Sequence, residues 1–400
     1  MSDSLRGAAV VAHGGAPTHV INATLAGVVA WSRSCPEIIA LYGARNGIRG
    51  VVEEEFFDLS GQDSPRIEAI SRTPGSALGS SRGHLSDGDY ERIFAVFEAH
   101  RVRYFFYNGG NGSMHTAKRL DELARDRGYE LRVIGLPKTI DNDLPETDHC
   151  PGYGSAARFV ACALRDIGAD NRSLPSPIEV VEVMGRDAGW LVAASALARH
   201  DPGDAPHLIY CPERRLPREQ LLADVDAVYT RLGRVVIALC EGQLDESGDP
   251  FGADLADAHS FGYRMTSNLG HAVAEFLNQR LKLRTRSSKP RILGRSSAAF
   301  LSETDRLEAF ECGRAAVRAA VAGESGKMVT LNREPGESYR STTGLVALDK
   351  VAGLTKLFPG DWIHPAGNDV TGEFLEYARP LTGAIEPLVR LGDCFVPKRL

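Results

Sequence analysis

The stretch "VRYFFYNGGNGSMHTAKRLDELARDRG" (Val102–Gly128) decides the fold class. It opens as a short apolar run and closes with helical spacing, and Gly109, Gly110 and Gly112 stand between the two. A strand buried on both faces, followed at once by an amphipathic helix, is the repeating unit of a parallel sheet. The unit recurs along the chain. "GAAVVAH" precedes "HVINATLAGVVAWSR", "LRVIGLP" precedes "SAARFVACALRDIGA", "IEVVEVM" leads into "GWLVAASALARH", and "RVVIALC" comes before "NLGHAVAEFLNQRLKL". Right-handed crossovers then give an α/β chain with mostly parallel sheets.

The 400 residues suffice for two or three domains, and a hydrophobic content of 43% is that of a globular chain. The net charge of −6 and the dispersed basic residues give nucleic-acid binding no support. No apolar run reaches membrane-spanning length, and "MSDSLRGAAVVAHGG" lacks a signal-peptide pattern. The seven cysteines are scattered without a CxxC pair, which reads as reduced thiols in a cytoplasmic protein.

In open α/β sheets, ligands sit beyond the carboxyl ends of the strands. The residues with the most chemistry fall there: Gly14–Gly15, Gly109–Ser113, Lys138–Asp143, Met184–Arg186 and Glu241. Taken singly, the glycines could be tight turns and the charged residues surface ion pairs. Their coincidence at strand ends argues for a site. Gly14, Gly15, Gly110 and Gly112 let backbone N–H groups approach a phosphate ahead of a helix, while Asn111 and Ser113 add polar groups. Phosphoryl transfer to a hydroxyl needs a carboxylate to take the proton and cations to neutralise the moving group. Asp141 can be that base, Asp143 can help to hold Mg²⁺, and Lys138 can cover phosphate charge. Arg186 suits a bound phosphate, and Glu241 suits sugar hydroxyls. Donor-type loops fall early and sugar-type motifs late, which predicts two α/β lobes with the site in the cleft between them.

Taken in order, "GGNGS", "PKTIDND", "EVMGRDAGW" and "EG" resemble the phosphofructokinase family. The likeness covers nearly the whole chain. Through "TPGSALGSSR", "FFYNGGNGSM", "PETDHCPGYGSAARF" and "PHLIYCPE" it is closest to a branch of roughly 400-residue chains that contains many pyrophosphate-dependent enzymes. The resemblance implies two Rossmann-like lobes. Residues 1–150 and 295–340 would bind the phosphoryl donor, and 151–294 and 341–400 the sugar phosphate. It makes Asp141 the proton acceptor, with Thr139 beside the substrate. It places Met184, Gly185, Arg186 and Glu241 on the sugar and Arg82 on the donor. "RSSKPRILGR" resembles the family segment with two arginines nine apart, which implies Arg286 and Arg295 at the sugar 6-phosphate. Some of these arginines reach in from a neighbouring subunit in the family, so a homo-oligomer, dimer or tetramer, is implied.

This chain also departs from the family pattern. Asn111 stands where the magnesium loop often carries Asp, leaving Asn111 and Asp143 as the metal candidates. Gly112 stands where pyrophosphate enzymes place an Asp that excludes ATP, whereas Lys138 is the pyrophosphate-type residue. The balance of these signals falls to ATP, with pyrophosphate as the alternative. Pro177 replaces an arginine of the sugar-phosphate site, and "LGRSSAAF" replaces a segment usually close to LQRCAAH. The expected reaction is Mg²⁺-dependent phosphorylation of the 1-hydroxyl of fructose 6-phosphate or a related sugar phosphate. A family member that binds a metabolite without turnover is the competing class, and Asn111 is the feature in its favour.

Overall fold

The computed structural model describes residues 5–174, 177–251, 268–391, 394 and 396–399. Among these residues eleven strands run in chain order: β1 Gly7–His13, β2 Ile38–Ala44, β3 Phe56–Asp58, β4 Val102–Gly109, β5 Arg132–Pro137, β6 Ile178–Val183, β7 Leu208–Tyr210, β8 Val235–Cys240, β9 Thr285–Ser288, β10 Lys327–Arg333 and β11 Ser341–Ala347. They form a seven-stranded sheet, β11-β10-β5-β4-β1-β2-β3, and a four-stranded sheet, β7-β8-β6-β9. All pairs are parallel except β2–β3 and β10–β11.

The central strands earn their places by composition. β1 is buried along its whole length, as is β8, because neither carries a charge and both are flanked by helices on each face. The helix Ile21–Ser32 packs on the helix Glu303–Val321 at very short range. A Cβ on Gly27 would sit 2.0 Å from the Phe310 carbonyl oxygen, and one on Gly313 2.2 Å from that of Thr24. The second core gathers the long helix Tyr153–Ser173, β6, β8 and the C-terminal helix Gly372–Thr382 around Trp190, Phe358 and Phe374.

The chain order of the large sheet reverses at β1, which has β2 on one side and β4 on the other. His13 pairs with Asn108, and Gly109 pairs with Pro137, so three strand ends stop side by side. A crevice at such a reversal is where open α/β sheets bind ligands.

One boundary differs from the sequence expectation. β11 begins at Ser341, within the segment assigned to the sugar lobe, yet it pairs antiparallel with β10 at the edge of the first sheet. Its residues are half-buried or exposed throughout, so it shows no apolar run to mark it. The helix Glu303–Val321 and β10 lie with the first sheet.

Candidate active site

The donor-type loops meet first. Gly14 bridges to Ser81, and Gly15 N–H donates to the Ser81 carbonyl at 3.0 Å, so the "GSSR" segment lies along the Gly14–Gly15 turn. Asn22 holds the stretch that leads into it, residues 73–77. Its amide donates to the carbonyls of Thr73 and Gly75 and its oxygen accepts from Ala77 N–H. Gly15 has φ +75, and a Cβ there would stand 3.5 Å from the Lys138 ammonium. Gly110 faces the Lys138 backbone, where its Cβ would lie 3.5 Å from the carbonyl oxygen. At Gly112 a Cβ would meet nothing within 4 Å. Ser113 sits beneath this layer: its hydroxyl would lie 2.1 Å from a Cβ on either Gly14 or Gly109, which explains both glycines.

Lys138 is only 3% exposed and donates to the Ala16 carbonyl at 2.6 Å. Burial lowers its pKa to about 8; the nearby Arg82 and Arg295 push the same way, while Asp141 and Asp143 oppose them. Arg295 is likewise depressed, by burial and then by Arg82, and its Nε is buried without a hydrogen-bond partner. Buried cations held beside one another make a site for an anion.

Past Lys138 the chain turns sharply. Asn142 takes a left-handed φ of +55, which asparagine tolerates better than most residues. Its side chain is fully buried, donating to Tyr377 Oη at 3.0 Å and accepting from Cys150 N–H at 2.9 Å. That anchor leaves Asp141 and Asp143 flanking it on the half-buried side of the loop. Asp141 N–H donates to the Thr139 hydroxyl at 3.1 Å, which ties Thr139 to the turn. Burial, and then the Asp143 charge, raise the Asp141 pKa to about 7; Arg186 and Lys138 work against that rise and Glu241 adds to it. Asp141 therefore feels groups from both sheets at once.

The second sheet supplies those groups from adjacent strand ends, since Val183 pairs with Cys240. Gly185 and Arg186 both have positive φ, +150 and +48, and a Cβ on Gly242 would strike the Arg186 carbonyl at 1.8 Å. Glu241 caps the same loop by accepting from Gly185 N–H at 3.4 Å. Met184 packs on the second core and lines an apolar cleft with Ile140, Pro290, Arg291 and Gly294.

Most of the sequence-derived set thus converges: Gly15, Arg82, Gly110, Lys138, Asp141, Asp143, Arg186, Glu241 and Arg295. Arg286 and Asn111 do not join in the expected way. Arg286 is exposed on the edge strand β9 opposite Glu179, whose pKa burial raises while the Ser288 hydrogen bond and then the Arg286 charge work against that rise. The Asn111 carboxamide is engaged with the backbone at Gly353 and Leu354. Asp143 and Asp141 remain as a pair of carboxylates. Mg²⁺ commonly binds through one or two carboxylates together with substrate phosphates and water. Among the described residues no cluster of three or more His, Cys, Asp or Glu could cage a metal alone, so the donor set fits an ion shared with a phosphate.

Sequence reading missed the support around this loop. His149 is buried, with Nδ1 2.8 Å from Asp148 and Nε2 2.6 Å from Glu308. Burial opposes its charge, but Glu308 and Asp148 outweigh burial and lift its pKa to about 9. Lys356 was missed too; its ammonium donates to the carbonyls of Thr147 and Asp148.

With the geometry in place, the comparisons decide the family. A sequence model described as Phosphofructokinase matches residues 8–320. The chain belongs to the phosphofructokinase family. It is 42% identical to the pyrophosphate–fructose 6-phosphate 1-phosphotransferase of Rhodospirillum rubrum, over 99% of each chain. It is 38% identical to the enzyme of the same name from Xanthomonas campestris, over 96% of this chain and 93% of that one. The crystal structure of a pyrophosphate-dependent phosphofructokinase from Marinobacter aquaeolei superposes with a TM-score of 0.86 at 35% identity, covering 98% of both chains. The phosphofructokinase fold accounts for the two mostly parallel sheets with alternating helices. Among the described residues, no helix is long and apolar enough to cross a membrane.

Proposed function

We propose that this phosphofructokinase transfers a phosphoryl group from pyrophosphate to the 1-hydroxyl of fructose 6-phosphate, with Mg²⁺, as a cytoplasmic homo-oligomer. The observation that carries the reading is the convergence of a base near neutrality, Asp141, with the cations Lys138, Arg82 and Arg295. The sugar oxygen attacks the terminal phosphorus, the bond to the departing phosphate breaks, and the hydroxyl proton passes to Asp141. Lys138, Arg82 and Arg295 offset the charge of the donor, and Arg186 and Glu241 hold the sugar from the other sheet. Mg²⁺, held by Asp143 with the phosphates, would neutralise further charge.

The preference for ATP drawn from Gly112 gives way here. Lys138 lies buried against the Gly15 turn, where a compact donor can reach it, and the relatives named above, at 38% to 42% identity over nearly the whole chain, carry pyrophosphate names. ATP stays as the second reading because the space at Gly112 is open. Residues 5–150 with the helix Glu303–Val321 and the β10–β11 pair form the donor lobe in this proposal, and the second sheet with the C-terminal helix forms the sugar lobe.

The test is a parallel assay of fructose 6-phosphate and Mg²⁺ with each donor. Pyrophosphate should support turnover with the higher kcat/KM. A higher value for ATP would reverse the donor, and no turnover with either would leave the non-catalytic binder in its place.

A further inference from the structure

Between β11 and the C-terminal helix the chain crosses from the first sheet to the second core, and residues 353–358 of that crossing touch three segments of the site, at Asn111, at Asp143–Asp148 and at Trp190. Asn111, which opens the helix Asn111–Asp126 beside the donor turn, makes a fork onto the crossing: its Oδ1 accepts from Gly353 N–H at 2.5 Å and its Nδ2 donates to the Leu354 carbonyl. Lys356 N–H donates to the Asp143 carbonyl at 2.8 Å, and its ammonium reaches Thr147 and Asp148 at 3.0 and 2.9 Å. The Lys356 carbonyl accepts from Trp190 Nε1 at 3.2 Å, just past the Met184–Arg186 loop. Phe358 N–H donates to Glu213, whose same oxygen also accepts from Gly189 N–H. The crossing is a strap that fastens the donor loop, the Asp141 loop and the sugar loop to one another.

We propose that Asn111 is a positioning residue that ties the donor loop to the Asp141 loop through this strap, and that it must be a carboxamide. Only a carboxamide of this size can accept from Gly353 and donate to Leu354 together; a carboxylate has no donor and would face the Leu354 carbonyl with lone pairs. Asn111 is therefore a strap anchor and not a metal ligand that has lost its charge. The inference rests on the phosphotransferase reading for its kinetic arm.

The two roles predict opposite outcomes for Asn111→Asp, with Asn111→Leu as the apolar control of similar size. Each purified full-length protein is assayed with pyrophosphate, fructose 6-phosphate and titrated Mg²⁺, and amide exchange is followed by mass spectrometry without ligands. A lost positioning contact should lower kcat/KM for the donor about tenfold or more in both variants. The KM for the sugar phosphate should stay within about twofold, and the Mg²⁺ midpoint should not move. Exchange should accelerate over 353–358 and 141–149 in both. A gain in kcat or a tighter Mg²⁺ midpoint in Asn111→Asp would make residue 111 a metal position and overturn the proposal, as would unchanged exchange over 353–358. If wild type turns over neither donor, the phosphotransferase reading fails, while the exchange data still decide whether the strap hangs on Asn111.

Discussion

A carboxylate that must take a proton at neutral pH needs a pKa near 7, and Asp141 reaches it by burial first and by the Asp143 charge second. As a base it works ionised, so kcat/KM should rise with pH through about 7 and level off above. Asp143→Asn removes the like charge and should move that limb to lower pH, whatever it does to the plateau. A pH–rate profile whose limb stays put would show that Asp143 does not face Asp141. Asp141→Asn keeps the shape but cannot take the proton, so kcat should fall by about 10²–10⁴-fold with sugar binding intact. Half of the wild-type kcat would exclude Asp141 as the base. Gly112 gives a gentler test, because a side chain there meets no atom within 4 Å and an acid in the first turn of a helix is well placed. Gly112→Asp should therefore fold normally, lower any ATP use at least about tenfold by like-charge repulsion, and spare pyrophosphate. Unchanged ATP turnover would mean that residue 112 does not face the donor.

Elements show where a sequence is readable and where it is not. Asp141, Lys138 and the glycine turns were legible because their signals are local: an apolar run, then glycines or charges at its end. β11 was not, since an edge strand with half-exposed residues carries no such run. Nor was the fastening of the loops, because its partners lie far apart in the chain: His149 meets Glu308 across 159 residues, and Asn111 meets Gly353 across 242. No local pattern encodes such pairs; only the packed sheets bring them together. His149 joins the Asp141 loop to the helix Glu303–Val321 and, through Glu308, to Ser341 at the start of β11. Its charge is favoured on folding, with the pKa raised from 6.5 to about 9. That contribution is complete below pH 6.5 and is lost as pH rises through 9. His149→Phe would take the cation from Glu308, only 7% exposed, leave it the Tyr339 and Ser341 hydroxyls, and should cost about 3 kcal/mol near neutral pH. In denaturant unfolding the gap between wild type and variant should narrow from pH 6.5 to 9. A gap that is small, or constant with pH, would show that the imidazolium is not stabilised by its two carboxylates.

At the scale of the molecule, the cleft gathers Arg295 but leaves Arg286 outside on β9, an edge strand of the second sheet. A long cation on an exposed edge, facing Glu179 across the sheet, is placed to reach beyond its own chain. If it completes a neighbour's sugar-phosphate site, as the proposed homo-oligomer requires, each site draws Asp141 from one subunit and Arg286 from the other. Asp141→Asn and Arg286→Ala homo-oligomers should then both be nearly inactive. Mixed subunits behave differently: in a heterodimer one site carries both defects and the other carries neither. Random reassortment of equal amounts after dissociation makes half of the dimers mixed, so about a quarter of the wild-type activity should return for a two-fold assembly. The measurement is turnover before and after dissociation and reassembly of the mixed proteins. If Arg286 serves its own chain, each mixed dimer holds two singly damaged sites and nothing returns. That outcome would place Arg286 with the Asp141 of its own subunit.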